Sequence, residues 1–296
     1  MYIAIDIGGT NTRIGISKNG RTFFAIEKFK TPARFEDGIR TITRTVLNVT
    51  KGQSLQSIAI AIPGPIDQPR GKVLHLPNLP LWRNKPIARA LKQQLKAKVH
   101  LINDADAAGI GEATRGAGRG YRNVAYFTVS TGIGGARLIN GKIKTSENFS
   151  AKGVTPKDGC ASGVRSAWGG EPGHITLIPG GRKCGCGRQG CFEAYGSGTG
   201  FYKTYGIRTE NCKDQHIWNE YAKTLGKGII KTIADGTVTP QDIIIIGGGV
   251  SQVGSRLFKP LRAYIKNNLQ IFKSPAIVPA KLGDLAGLYG CLETLK

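Results

Sequence analysis

Acidic residues are scarce in this sequence. Nineteen Asp and Glu stand against 42 Lys and Arg, giving a formal net charge of +23 over 296 residues. Such a deficit attracts polyanions, whether nucleic acid, membrane surface or phosphorylated ligands. No block of five or six like charges occurs, however, so no basic tail is marked and the excess reads as a solvated surface. Long apolar runs are missing too, and no segment approaches the length of a membrane span. The opening "MYIAIDIGG" turns polar too soon for a signal peptide and has no basic leader. The expected location is therefore cytoplasmic, where disulfides are not expected and clustered cysteines more often bind metal. There is no G-x-x-x-x-G-K-[ST], so this is not a P-loop protein. One literal G-x-G-x-x-G exists, Gly185 to Gly190. It is flanked by cysteines rather than by a strand and a helix, and it fails the context test for a dinucleotide fold.

What is present is a globular composition, 40% hydrophobic and 21% charged, in a chain long enough for one large domain or two medium ones. Its 42 glycines gather in short clusters beside apolar runs, which suggests turns where backbone comes close to something. "YIAIDI" at 2–7 reads as a strand, "GGTN" as a turn and "RIGIS" as the returning strand. "FFAIEKF" at 23–29 is a third strand, and the apolar spacing over 35–49 predicts a helix. "IAIAIPGPID" at 58–67 is a buried strand ending in a loop; "VHLIND" at 99–104 is another, passing into the helix "ADAAGIGEA". The pattern then restarts: "NVAYFTVS" at 123–130, a "TGIGG" turn, and "ARLING". Ile7-Gly8-Gly9 and Ile133-Gly134-Gly135 are read as occupying the same place in two similar hairpins. Such a weak internal repeat suggests two domains of like topology facing each other. Residues 144–167 are polar, Gly/Ser-rich and aperiodic, and read as an inserted surface loop. Helix is predicted over 217–236, a fully buried strand within 242–251, and a final amphipathic helix. Strands interleaved with helices give an α/β class.

Three glycine turns directly follow buried strands, at residues 8–10, 131–135 and 247–249. Backbone amides in such turns, with the Thr10 hydroxyl, can line up on phosphate oxygens. Asp6 could hold Mg²⁺ through water. Taken singly, each turn is an ordinary hairpin; three in the same relation to a strand are harder to dismiss.

The ordered set "DIGGTNTRIG", "AIPGPID", "PNL", "NDADAA", "STGIGG", "GH…CGCGRQGCFE" and "GGGV" resembles the ROK family of sugar kinases and repressors over nearly the whole chain. The resemblance implies two ribonuclease H-like domains of the actin-like ATPase superfamily, closing over a cleft, with a structural zinc loop. The domains are expected at 1–117 and 118–283, with the C-terminal helix of about 284–296 packing back on the first. The phosphate-binding set is then Asp6, Gly8, Gly9, Thr10, Thr131, Gly132, Gly134, Gly247, Gly248 and Gly249, holding ATP and Mg²⁺.

His174, Cys184, Cys186 and Cys191 give H-x9-C-x-C-x4-C. One imidazole and three thiolates suit tetrahedral Zn²⁺, and four protein ligands leave no open position, so the metal is expected to be structural. A disulfide would leave one cysteine over; buried, unligated cysteines are the plainer alternative. Cys160, Cys212 and Cys291 are expected to be free thiols, with Cys160 able to approach the site.

The resemblance also assigns sugar contacts to Asn78, Asn103, Asp104, Glu171, His174 and Glu193, and makes Asp104 the catalytic base. It implies in-line transfer of the γ-phosphoryl of ATP to a hexose hydroxyl, glucose being favoured by family frequency, in a homodimer. Pro172 and Asp106 depart from the family pattern, where an aliphatic residue and Asn are usual. Other readings are a kinase for N-acetylmannosamine, N-acetylglucosamine, fructose or allose, a non-catalytic sugar-binding relic, or a sugar-responsive repressor. The repressor is disfavoured because the first strand begins at residue 2 and leaves no room for a helix-turn-helix domain. Nucleic acid is therefore not an expected partner, and neither is a membrane.

Overall fold

A computed structural model describes residues 1–74, 76, 78–143, 172–233, 241–269 and 274–296. The segment 144–167 expected as an inserted loop, Cys160 and Glu171 lie outside the described residues. The described residues fall into two units. One comprises Met1–Gly111 with Asp284–Lys296; the other runs from Glu112 to Gly283. The first boundary lies inside a helix, six residues before the position read from the sequence.

The first unit opens with the antiparallel strands β1 (Tyr2–Ile7), β2 (Asn11–Ser17) and β3 (Ala25–Lys30). Helix α1 (Phe35–Thr50) leads to β4 (Ser57–Ile62), a small pair β5 (Ile66–Asp67) and β6 (Lys72–Val73), α2 (Ile87–Leu95) and β7 (Lys98–Asn103). Helix α3 (Asp104–Arg115) follows at once. The sheet order is β3-β2-β1-β4-β7, with β1, β4 and β7 parallel.

Why this sheet forms is written in its alternation. Successive strand residues face opposite sides. In β1 and β4, Ile3, Ile5, Ile7, Ile58, Ile60 and Ile62 all enter one core with Ile42 and Val46 of α1 and Leu91 of α2. Each such isoleucine contributes on the order of 1.5–3 kcal/mol by burial. Ala4, Ala59 and Ala61 take the other face, where Ala107 of α3 and Leu288 and Cys291 of the final helix, α8 (Ala286–Glu293), pack. Small residues on that face let the helices come close. Asp6 follows Ala4 on it, and a Cβ on Gly287 of α8 would lie 3.1 Å from the Asp6 Cγ.

The second unit carries β8 (Asn123–Val129), β9 (Ile133–Ile139), β10 (Lys142–Ile143), α4 (Glu193–Gly196), α5 (Gly198–Tyr205), α6 (Gln215–Ile233), β11 (Ile243–Gly247), α7 (Ser255–Asn268) and β12 (Ala276–Pro279). Its sheet order, β10-β9-β8-β11-β12, repeats that of the first unit, and β8, β11 and β12 are parallel. The core holds Phe127, Phe192, Phe201, Trp218, Tyr221, Leu225 and Leu261. The Tyr221 hydroxyl donates to the Gly196 carbonyl at 2.6 Å, and Trp218 Nε1 to the Cys212 carbonyl at 3.1 Å, so both polar tips are satisfied inside the core.

The repeat differs in detail from its sequence reading. Gly8 and Gly9 lie in the β1–β2 turn, but Gly134 and Gly135 are inside β9, opposite Thr128 and Phe127. The second turn is Ser130–Gly132, and Gly134, expected among the phosphate-turn residues, sits on a strand.

One further feature of the second unit has no counterpart in the sequence reading. Glu112 is fully buried. Its Oε1 accepts the N–H groups of Lys281 (2.9 Å) and Leu282 (2.6 Å), and its Oε2 that of Ala117 (2.9 Å). A buried carboxylate is tolerated because three donors replace its water.

Candidate active site and metal centre

Because β1, β4 and β7 are parallel, their C-terminal ends share one edge of the sheet, the usual place for ligands in α/β folds. Asp6 pairs with Ala61, and Ile62 pairs with Asn103. Asn103 is the N-cap of α3: its Oδ1 accepts the N–H of Ala105 at 2.9 Å and of Asp106 at 3.3 Å. Its Nδ2 donates to the Gly64 carbonyl at 3.4 Å. The amide expected to contact a sugar is thus engaged in holding the helix start. Asp104, the first residue of α3, is half-buried, and Asp106 is buried. Acidic residues in a first turn suit the positive end of the helix dipole.

The β1–β2 turn is closed by the Gly8 N–H donating to the Asn11 carbonyl at 2.8 Å. That amide is spent within the turn. Thr31, which the sequence reading missed, donates its hydroxyl to the Gly8 carbonyl at 2.7 Å and lies 2.9 Å from the Thr12 hydroxyl. Thr10 and Asn78 are exposed, and Asn78 rests on the turn, since a Cβ at Gly9 would fall 2.6 Å from the Asn78 Cβ. Asp6 is not alone. Arg13 approaches it at 3.9 Å and pairs with Asp284, which Lys28 also approaches at 3.9 Å. Burial pushes the Asp6 carboxyl up from 3.8 to about 6; the Arg13 charge opposes this and Asp284 adds to it. Arg13 and Asp284 are 271 positions apart, so no local pattern could pair them.

In the second unit, β8 and β11 end together. The Ser130 N–H donates to the Gly132 carbonyl at 2.9 Å, and the Gly198 N–H to the Ser130 carbonyl at 2.6 Å. Gly248 has φ 83° and its Cβ position lies 2.4 Å from the Val129 carbonyl oxygen, so no other residue fits. The Ser251 hydroxyl donates to the Gly248 carbonyl at 2.8 Å. The turns at 130–132 and 247–249 are therefore locked side by side.

The four candidate metal ligands converge. A ring nitrogen of His174 and the sulfurs of Cys184, Cys186 and Cys191 all lie within 4.8 Å of one another. Cys184 Sγ is 3.6 Å from His174 Nδ1, and Cys186 Sγ is 3.7 Å from Cys191 Sγ. Pro172, the departure from the family pattern, begins the short 3₁₀ turn that carries His174. The loop is braced by backbone bonds from Cys184 to Arg188 (2.8 Å) and from Gly190 to Arg182 (2.9 Å). The Arg182 guanidinium donates to the Ala194 carbonyl at 2.8 Å and stacks on Tyr195 at 4.8 Å. Burial pushes the Cys184 thiol up to about 12, the Cys186 backbone N–H opposing this and the Cys186 side chain adding to it; burial and the Cys186 side chain raise Cys191 as well. Cys212 and Cys291 are buried free thiols far from this cluster in the chain; Cys291 lies against the Ile5 carbonyl in the first unit.

Glu193, the first residue of α4, joins this loop to the β8–β9 turn. Its Oε2 accepts the Ile133 N–H at 2.8 Å, and its Oε1 lies 3.7 Å from Cys184 Sγ. A side chain at Gly132 would place its Cβ 2.5 Å from Oε2.

Residues 2–296 match the ROK family. The chain belongs to the ROK family, and its fold is the actin-like ATPase fold of that family's sugar kinases. A glucokinase of Thermotoga maritima is 30% identical over 324 residues, covering 99% of this chain and 96% of that protein. An Escherichia coli N-acetyl-D-glucosamine kinase is 26% identical over 98% of this chain and 97% of its own. The crystal structure of a ROK family glucokinase from Streptomyces griseus in complex with glucose and AMPPNP is 28% identical, with a TM-score of 0.76 over 99% of this chain and 98% of that one.

Proposed function

We propose that the protein is an ATP-dependent hexose kinase that phosphorylates glucose. The observation that carries this reading is the position of Asp104, set at the start of α3 by the Asn103 cap and at the ligand-accepting edge of a parallel sheet. Full-length likeness to a glucokinase, and to a structure holding glucose and AMPPNP, supports the substrate pair.

In this proposal Asp104 accepts the proton of the sugar hydroxyl as that oxygen attacks the γ-phosphorus of ATP. The amides of Gly9, Thr10, Thr131, Gly132, Gly248 and Gly249 are the candidate donors to phosphate oxygens; Gly8 is not, its N–H being spent on Asn11. Asp6 would hold Mg²⁺ through water; the ion, when bound, neutralises phosphate charge. Asn78, Asn103, Glu171, His174 and Glu193 are the sugar-contact candidates.

The His174, Cys184, Cys186 and Cys191 cluster would hold a structural zinc. Tetrahedral bonds to sulfur and imidazole nitrogen set sulfurs about 3.8 Å apart and sulfur about 3.6 Å from nitrogen. Separations of 3.7 and 3.6 Å between those atoms support the fit. A cytoplasmic homodimer is the form in which we expect the enzyme to work. The E. coli relative favours one second reading, an N-acetylglucosamine kinase. An ADP-release assay over a hexose panel separates the two: glucose leads under the first, N-acetylglucosamine under the second.

A further inference from the structure

Glu193 is one of the sugar-contact candidates. Its surroundings point elsewhere as well. One carboxylate oxygen accepts the Ile133 N–H at 2.8 Å, and Ile133 is the residue immediately after the turn Ser130–Gly132. The space that a Cβ on Gly132 would need is taken by that same oxygen, at 2.5 Å. The other oxygen is 3.7 Å from Cys184 Sγ in the metal-ligand cluster. The helix that begins at Glu193 is continuous with the loop: Phe192 donates its N–H to the Ile175 carbonyl at 2.9 Å, one residue from His174. The Ile133 carbonyl is approached from the same side, since a Cβ on Gly173 would lie 2.4 Å from it. The first residue of β9 is thus bonded at its N–H by Glu193 and closely packed at its carbonyl by Gly173, on either side of the Cys/His loop.

We infer that Glu193 is a positioning residue for the β8–β9 turn, so that the metal loop sets the geometry of the Thr131 and Gly132 amides and, through them, the affinity for a nucleotide phosphate. This rests on the kinase reading, in which those amides face phosphate. The physical reason is directional. Within the turn, the Ser130 N–H to Gly132 carbonyl bond and the Gly198 N–H to Ser130 carbonyl bond fix its two ends relative to each other, and the bond from the N–H of Ile133 to Glu193 fixes where the turn meets the strand. That last bond is charge-assisted, made by a carboxylate to the first strand amide. Glu193 in turn is held to the loop by its chain neighbour Phe192, whose N–H donates to the Ile175 carbonyl at 2.9 Å, so release of the metal loosens the turn. Sequence separation is 60 residues, which is why the pattern of either segment alone does not show it.

The test measures binding of AMPPNP with Mg²⁺ to the whole protein, without sugar, by titration calorimetry. Glu193→Ala should weaken AMPPNP binding about tenfold, the scale of losing a hydrogen bond to a charged group. Glu193→Gln keeps an acceptor oxygen and should restore binding to within about threefold of the unaltered protein. Both variants should lose sugar affinity if the carboxylate also binds a hydroxyl, so a merely sugar-binding Glu193 predicts no change in AMPPNP affinity for either. If Glu193→Ala does not fold, hydrogen exchange at the Ile133 amide serves instead: it should speed up when the metal of the unaltered protein is stripped by chelator, and slow again when zinc is returned. Unchanged AMPPNP affinity in a folded Glu193→Ala protein, or an Ile133 amide indifferent to the metal, overturns the inference. Failure of the kinase reading is distinguishable, because then AMPPNP does not bind the unaltered protein.

Discussion

Asn103 Oδ1 accepts the Ala105 N–H at 2.9 Å and so caps the helix whose first residue is Asp104. The cap fixes where the carboxylate of Asp104 begins; the same Ala105 N–H also reaches Asp104 Oδ1 at 2.8 Å, an acceptor oxygen that Asn retains. Asp104→Asn should therefore leave the helix start intact. General-base removal lowers turnover by about a hundred- to ten-thousandfold. We expect a loss in kcat of that size with hexose affinity within a few-fold of the parent, measured by steady-state kinetics and sugar titration. A variant with near-normal turnover would remove Asp104 from the role of base.

The metal cluster makes a quantitative prediction. Purified protein should carry one zinc per chain by atomic absorption. Cys186→Ser replaces a thiolate of a four-ligand set and should reduce zinc content and lower Tm by several degrees, since metal binding energy is folding energy for the loop. Protein that contains no zinc yet melts at the same temperature as zinc-loaded protein would contradict the assignment.

Asp6 gives a pH dependence whose sign can be worked out. Its folded value, about 6, lies above the ordinary 3.8, chiefly because of burial. Between these values the folded state binds more protons than the unfolded state. Stability from this group thus falls as pH rises from about 4 to about 6 and stays low above that. At pH 7 the ionised, buried carboxylate costs up to about 3 kcal/mol at 1.36 kcal/mol per pKa unit. Asp6→Asn should be more stable than the parent at pH 7, lose that advantage towards pH 4, and be a poorer enzyme. Urea unfolding of the metal- and nucleotide-free protein at the two pH values measures this; a variant no more stable than the parent at pH 7 would refute it.

Glu112 supplies a prediction about the second unit alone. Glu112→Ala leaves the N–H groups of Ala117, Lys281 and Leu282 without their acceptor. At about 1–3 kcal/mol for each donor left unpaired, the loss should be at least about 3 kcal/mol. Denaturant unfolding reads it, and a loss below 1 kcal/mol would show that water replaces the carboxylate.

The legible part of this protein was what short-range pattern encodes. The strict Ile/Ala alternation in "IAIAI" announces a strand buried on both faces, and β4 is that strand. The junction of "LIND" with "ADAA" placed Asp104 where β7 gives way to α3. The cysteine spacing brought four ligands together as expected. Where the sequence misled, two signals competed: "STGIGG" offers two glycine sites for one turn, and the ladder begins at Ile133 opposite Val129, which puts Gly134 and Gly135 on the strand. The Arg13–Asp284 pair and the Glu112 bonds to Lys281 and Leu282 were illegible because each is made between residues more than 160 positions apart. Gly8 shows a subtler limit: the turn was read correctly, but which of its amides remain for a ligand depends on how it closes.

The most direct test of the account is ADP release, coupled to a spectrophotometric readout, from the zinc-loaded protein with ATP, Mg²⁺ and a panel of glucose, mannose, fructose, allose, N-acetylglucosamine and N-acetylmannosamine. The account predicts sugar-dependent ADP release with the highest kcat/KM for glucose. No sugar-dependent release with any member of the panel would contradict it.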